Sequence, residues 1–254
     1  MIDVFRRQFR RVSPTVLVAG VLMATLASAS QSPSSRTLRI LFIGNSLTRA
    51  NNLPAMVEAL ARAQGHTVES FALAVNNFSL EDHWNQGQAQ GAISKGGWTF
   101  VVLQQGPSSL PESRVLLRDY AKRFAGEAKN AGAGTALYMV WPAKGRERDF
   151  DAVSESYALA AKDADGVLLP AGDAWRDAWR HEASLEFYAE DGFHPSRLGS
   201  YLAALTIWRG LSGQSVIGLP GVDGVNPETI RVLQNAAENA FVSVPRRQEF
   251  FALR

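Results

Sequence analysis

The chain has 254 residues, 46% of them hydrophobic, which is enough for one sizeable core and lacks the compositional marks of disorder or of a repeat array. Its formal charge is +2, but residues 1–29 carry four Arg and one Asp, a net of +3, so the remainder sits near −1 and the basic pI is no argument for nucleic-acid binding. Cysteine is absent, which removes disulfides, thiol chemistry and thiolate metal sites.

The N-terminus reads as a secretory signal. Arg6, Arg7, Arg10 and Arg11 form a positive region, and Thr15 to Ala27 is an apolar stretch too short for a comfortable membrane span. Ala27-Ser28-Ala29 is an A-x-A cleavage site. The alternative is an uncleaved anchor. Residues 30–37 then form a flexible start to the mature chain, and residues 38–254 form the folded domain. Cleavage implies a secreted or periplasmic protein with no stable membrane span.

Apolar runs then alternate with amphipathic stretches. Strands are expected at 38–44, 66–75, 98–106, 135–142 and 166–172. Helices are expected at 53–65, 79–93 (weakened by glycines), 112–132, 149–165, 174–183, 195–213 and 226–242, with Pro195 in a first turn. This alternation implies a mostly parallel five-stranded sheet covered on both faces, a doubly wound three-layer α/β/α sandwich. Ligands in such folds sit beyond the C-terminal strand ends, where Ser46, the Gln104-Gln105 pair and Pro142 fall.

Two stretches can carry chemistry. In "LFIGNSLT" a buried-looking strand ends in Gly44-Asn45-Ser46. Ser46 is either a helix N-cap or a nucleophile held at a strand end. In "EDGFHPS", Pro195 biases His194 away from the helical region, and Asp191 can fold back across a turn containing Gly192 to reach Nδ1. That would leave Nε2 to take a serine proton. The other reading makes Asp191 a turn residue and His194 a surface N-cap. Glu81, Asp82 and His83 stand in a row, yet adjacent helical residues point apart, so no metal is expected there. The tryptophans are expected mostly in the core or at its rim, with sugar stacking open for Trp84 or Trp141.

Taken together, "GNSLT" after the first strand and "DGFHPS" before a late helix resemble the SGNH (GDSL-type) hydrolase superfamily, over roughly residues 38 to 212. The resemblance implies a flavodoxin-like sandwich in which Ser46 is the nucleophile, His194 the general base and Asp191 its orienting carboxylate, with no cofactor. It also implies an oxyanion hole of three donors: the Ser46 backbone N–H, a glycine N–H after the second strand and an asparagine side chain after the third. Here Asn76 or Asn77 stands in the glycine's place, and Asn tolerates positive φ better than most residues. On the third strand Gln105 is the favoured side-chain donor, followed by Ser108. The function implied is a serine esterase acting on O-acetyl groups of glycans or on small esters. The alternatives are a non-catalytic carbohydrate-binding relative, or a lipase or thioesterase using the same triad.

The mature chain is expected to begin near Ser30. Mass spectrometry of the exported protein checks this, and retention of residues 1–29 would refute it.

Overall fold

The structure is a computed structural model that describes residues 37–242. The leader, its cleavage site and nearly all of the polar segment 30–37 lie outside the described residues. No helix among the described residues is long and apolar enough to cross a membrane.

Five strands form one sheet: β1 (Leu38–Gly44), β2 (Val68–Ala74), β3 (Phe100–Leu103), β4 (Gly134–Tyr138) and β5 (Val167–Leu169). Their order is β2-β1-β3-β4-β5, and every pairing is parallel. Parallel strands need crossovers, and the helices supply them. These are α1 (Ser46–Arg49), α2 (Leu53–Ala63), α3 (Leu80–Gln86), α4 (Gln88–Ser94), α5 (Pro111–Asn130), α6 (Phe150–Asp163), α7 (Ala171–His181), α8 (Arg197–Ser212) and α9 (Pro227–Asn239). One group, α3 to α6, packs together, and α2, α7, α8 and α9 pack as another. The result is the expected three-layer α/β/α sandwich. Sheet residues such as Ile40, Phe42, Val101, Leu103 and Leu137 are buried between the layers, which is why these strands read as continuous apolar runs.

Several boundaries differ from the sequence reading, each for a physical reason. The helix expected at 79–93 breaks at Gly87, whose φ of 76° ends α3 and begins α4. Strand β4 stops at Tyr138, although Met139, Val140 and Trp141 stay fully buried. Apolarity there reflects packing rather than sheet pairing. Helix α8 starts at Arg197 with Ser196 as its cap, so Pro195 lies outside it and instead forms a bridge with Tyr188.

Trp141 is core, which corrects its reading as a candidate sugar platform. Its ring stacks on Trp175 at 3.5 Å between centroids and 13° between planes. Trp84 packs edge-on against Phe124 at 5.1 Å. Helix α7 starts early because Gly172 lets its first turn press on the end of β4. A Cβ at that position would overlap the Val140 carbonyl oxygen and crowd the Met139 methyl.

Gly172→Ala is therefore expected to destabilise the fold by about 1–3 kcal/mol, the usual cost of overpacking. Urea denaturation measures it, and an unchanged midpoint would show that α7 can move away freely.

Candidate active site

The site begins with how the chain leaves β1. Gly44 closes the strand where Thr48 Oγ1 and Gln104 Oε1 leave no room for a Cβ. Asn45 then caps α1: its side-chain oxygen accepts the Leu47 N–H at 3.1 Å. The N-cap is thus Asn45 and not Ser46, which occupies the first helical position. The same Asn45 side chain donates through Nδ2 to the Phe78 carbonyl at 3.0 Å. That second bond needs an amide, since a carboxylate oxygen there would face a carbonyl oxygen.

Gln104, at the end of β3, holds this turn. Its Oε1 accepts from the Asn45 N–H at 2.9 Å and from Thr48 Oγ1 at 2.7 Å. Its Nε2 donates to Asn45 Oδ1 at 3.0 Å and to the Gln105 carbonyl at 2.6 Å. His83 adds a bond from Nε2 to the Gly44 carbonyl at 2.7 Å, which requires the Nε2–H tautomer. Burial lowers the His83 pKa and so favours the neutral imidazole.

The second half of the site is the loop before α8. Gly192 turns it with a φ of 68°. Asp191 Oδ1 accepts the backbone N–H groups of Phe193 and His194, each at 2.9 Å. Asp191 Oδ2 lies 2.5 Å from His194 Nδ1, and His194 Nε2 lies 2.8 Å from Ser46 Oγ. These bonds hold the Asp191 carboxyl down to about 2, with the His194 contact the largest cause. A carboxylate at Nδ1 keeps the proton on that nitrogen and leaves Nε2 to accept from the Ser46 hydroxyl. The loop is anchored from outside by Trp141 Nε1 donating to the Phe193 carbonyl at 3.1 Å and by Lys144 N–H donating to the Gly192 carbonyl at 2.8 Å. His194 is neither a surface cap nor buried: its side chain is 38% exposed and that of Asp191 52%.

The structure therefore brings Ser46, His194 and Asp191 into one hydrogen-bonded line. It treats the expected oxyanion donors differently. As the first residue of α1, Ser46 has a backbone N–H among the helix's orphan donors. Asn77 lies in the turn after β2 with a φ of 62°, closed by Phe78 N–H on the Val75 carbonyl at 3.2 Å. That is the position where a type II turn favours Gly or Asn. The Asn76 side chain is engaged by Arg49 Nη2 at 2.7 Å.

Gln105 and Ser108 need correction as side-chain donors. Gln105 Nε2 donates to Ser108 Oγ at 2.8 Å and to the Ser113 carbonyl at 3.3 Å, while its Oε1 accepts the Leu80 N–H at 3.1 Å. Ser108 Oγ in turn donates to the Gly106 carbonyl at 3.0 Å. Both side chains are buried and committed to the loop after β3, so neither offers a hydrogen to the cleft.

The row Glu81-Asp82-His83 diverges as adjacent helical residues must. Glu81 accepts from Tyr120 at 2.9 Å, Asp82 closes a capping box with Ser79, and His83 turns to Gly44. Among the described residues no group of three or more acidic or imidazole side chains is placed to hold a metal. Gln104, His83 and Trp141 shape the site in roles that the sequence reading did not give them. The one hint was a second glutamine beside Gln105 at a strand end.

Comparison with known proteins bears on the family and the fold. Over 69% of this chain and all of the other, the protein is 30% identical to a protein from Slackia heliotrinireducens described as an SGNH hydrolase, with a TM-score of 0.59. It also resembles a DUF4886 family protein from Bacteroides uniformis (18% identity, 82% of this chain and 95% of that one, TM-score 0.69). A third likeness is to a catalytic mutant of an acetylxylan esterase from Geobacillus stearothermophilus (16% identity, 74% and 97%, TM-score 0.54). These last two speak for the fold. No family model and no curated protein matches the sequence. The chain belongs to the SGNH hydrolase superfamily.

With its amide committed to the loop, Gln105→Ala is expected to lower stability by about 1–3 kcal/mol, because Leu80 N–H loses a buried acceptor. Hydrolytic turnover at full folding should change only a few-fold. A kcat loss on the order of 100-fold in a stably folded variant would restore Gln105 as an oxyanion donor.

Proposed function

We propose that the protein is a secreted serine esterase that works through an acyl-enzyme on Ser46, with O-acetyl groups on glycans or small esters as substrates. The observation that carries this reading is the continuous line from the Asp191 carboxylate through His194 to Ser46 Oγ.

The chemistry follows from the line. Ser46 Oγ attacks the ester carbonyl carbon while His194 Nε2 takes its proton. The carbonyl π electrons move onto oxygen, where the Ser46 N–H and a backbone N–H of the Asn76-Asn77 turn are the proposed donors. The carbonyl re-forms, the bond to the alkoxy group breaks, and His194 returns the proton to the leaving oxygen. Water then attacks the acyl-enzyme with His194 again as base, releasing the acid and free Ser46. Asp191 stabilises the imidazolium in both halves without becoming protonated. Its pKa, held down to about 2, keeps it a carboxylate at neutral pH.

The acetyl-glycan part of the reading draws on the exposure of the site. A base and carboxylate exposed to this degree suit an ester carried on a polymer that cannot enter a deep pocket. The acetylxylan esterase with the same fold is in keeping with that class. Secretion rests on the leader sequence.

Ser46→Ala is expected to lower kcat for p-nitrophenyl acetate by about 10⁴–10⁶, and His194→Ala by a similar factor, with the double variant little worse than either. A fluorophosphonate should label wild type and leave Ser46→Ala unlabelled. A folded Ser46→Ala protein that keeps near wild-type turnover would overturn the mechanism.

A further inference from the structure

The two halves of the site come from opposite ends of the domain, and one side chain joins them directly. After α1 the chain runs through a 3₁₀ turn, Ala50–Asn52, before α2. Asn51 and Asn52 both have left-handed backbone there, with φ of 53° and 56°. Two consecutive non-glycine residues in that region are uncommon, and Asn is among the side chains that accept it best. The turn aims Asn51 at the other half of the site. Its Nδ2 donates one hydrogen to the Pro195 carbonyl at 2.9 Å and the other to Ser200 Oγ at 2.9 Å.

Pro195 is bonded to His194, and Asn51 lies five residues beyond Ser46 on a short rigid turn. Both amide hydrogens of Asn51 are thus spent on the segment that carries the base: one on the residue next to it, one on the first turns of the helix that follows. The other constraints on the Ser46–His194 distance are the packing of α8 on α2 and the bonds that Trp141 and Lys144 make to the His194 loop, and none of these comes from the Ser46 segment itself.

The geometry points to Asn51 as a positioning residue that registers the proposed base, His194, against the proposed nucleophile, Ser46. This rests on the hydrolase reading above. Asn51 is itself exposed, but its acceptors lie on buried residues, Pro195 and Ser200, so losing the two bonds carries some cost in stability as well. Their main effect falls on alignment, and a displacement of an ångström between reacting groups can cost about 100-fold in rate.

Asn51→Gly tests this, because glycine keeps the left-handed backbone and removes only the amide. The readouts are kcat and KM for p-nitrophenyl acetate, the rate of fluorophosphonate labelling, in which Ser46 Oγ displaces fluoride from phosphorus, and the melting temperature. The expected result is a kcat lower by about 10- to 100-fold, a labelling rate lower by the same factor, and KM within about twofold, in a variant that is still fully folded at the assay temperature although its melting temperature is somewhat lower. Ser200→Ala, which leaves the turn intact and removes one acceptor, should give a smaller loss of the same kind. Should Asn51→Gly fail to fold, Ser200→Ala and Asn51→Asp decide. The aspartate keeps size and backbone preference but sets a carboxylate oxygen against the Pro195 carbonyl, so kcat should fall at constant KM. Near wild-type kcat in the folded variants, or a loss that tracks unfolding, overturns the assignment to Asn51. Absence of labelling in wild type would instead overturn the hydrolase reading on which it stands.

Discussion

The buried amide of Gln104 is the constraint on which the site's geometry depends. A primary amide offers two hydrogens and two acceptor positions, and all four are used here: Asn45 N–H, Thr48 Oγ1, Asn45 Oδ1 and the Gln105 carbonyl. A fully buried polar group is tolerable only when so satisfied, and once satisfied it rigidifies what it touches. The parallel register of β1 and β3 sets Ile43 beside Leu103, so the next residue on each strand brings Gln104 against Gly44. Gly44 is then required because any side chain would occupy the space of the amide oxygen. The conformation that presents Ser46 is fixed by residues at three strand ends: Gly44 closing β1, Phe78 beyond β2 and Gln104 after β3.

The His194 segment is held by a different principle. It is not part of the sheet, and 148 residues separate His194 from Ser46. What fixes it is backbone hydrogen bonding on several sides: Trp141 to Phe193, Lys144 to Gly192, Ala189 to His194 and Ser196 to Phe187. Trp141 can serve this way because its ring is clamped on Trp175, whose own Nε1 donates to the Gly199 carbonyl in α8 at 3.1 Å. An aromatic pair in the core thus transmits the position of β4 and α7 to an exposed imidazole. Asp191 completes the arrangement locally by folding one oxygen back onto two backbone N–H groups, so its other oxygen has a single direction left in which to meet His194.

Much of this was legible because the relevant patterns are local. The run Leu38 to Gly44 reads as a buried parallel strand, and Asp191, Gly192, His194 and Pro195 together specify a turn that returns a carboxylate to an imidazole. The choice between Gln104 and Gln105 was not legible. Neighbouring residues at a strand end point to opposite faces, and which face meets the β1 turn depends on strand order, which no local pattern encodes. Gln105 went to the face of α3 and accepts Leu80 N–H, while Gln104 took the hub. The end of β4 was misread for a related reason. Met139, Val140 and Trp141 are as buried as the strand before them, but after the Met139 N–H bond to the Leu169 carbonyl the segment packs on the start of α7, where the Gly172 N–H donates to the Met139 carbonyl. Asn51 carried no signal in the sequence because its partners, Pro195 and Ser200, are distant along the chain.

The distribution of charge across the site follows from the same division between buried scaffold and exposed edge. The scaffold behind Ser46 is neutral: Asn45, Thr48 and Gln104 carry no charge, and burial favours the uncharged form of His83, which donates to Gly44. The formal charges near the nucleophile, on Asp191 and Arg49, stand where water reaches them. Removing an ion from water costs several kcal/mol unless it is paired, and a carboxylate in a dry interior would also repel a developing oxyanion strongly at low dielectric. An exposed Asp191 avoids both effects. It meets His194 through a short hydrogen bond, which needs no burial, while solvent screens its field beyond that contact. The neutral amides of the scaffold, meanwhile, point fixed dipoles without bringing a counter-charge. The structure therefore separates the group that must be charged to orient the base from the region where new negative charge would have to form.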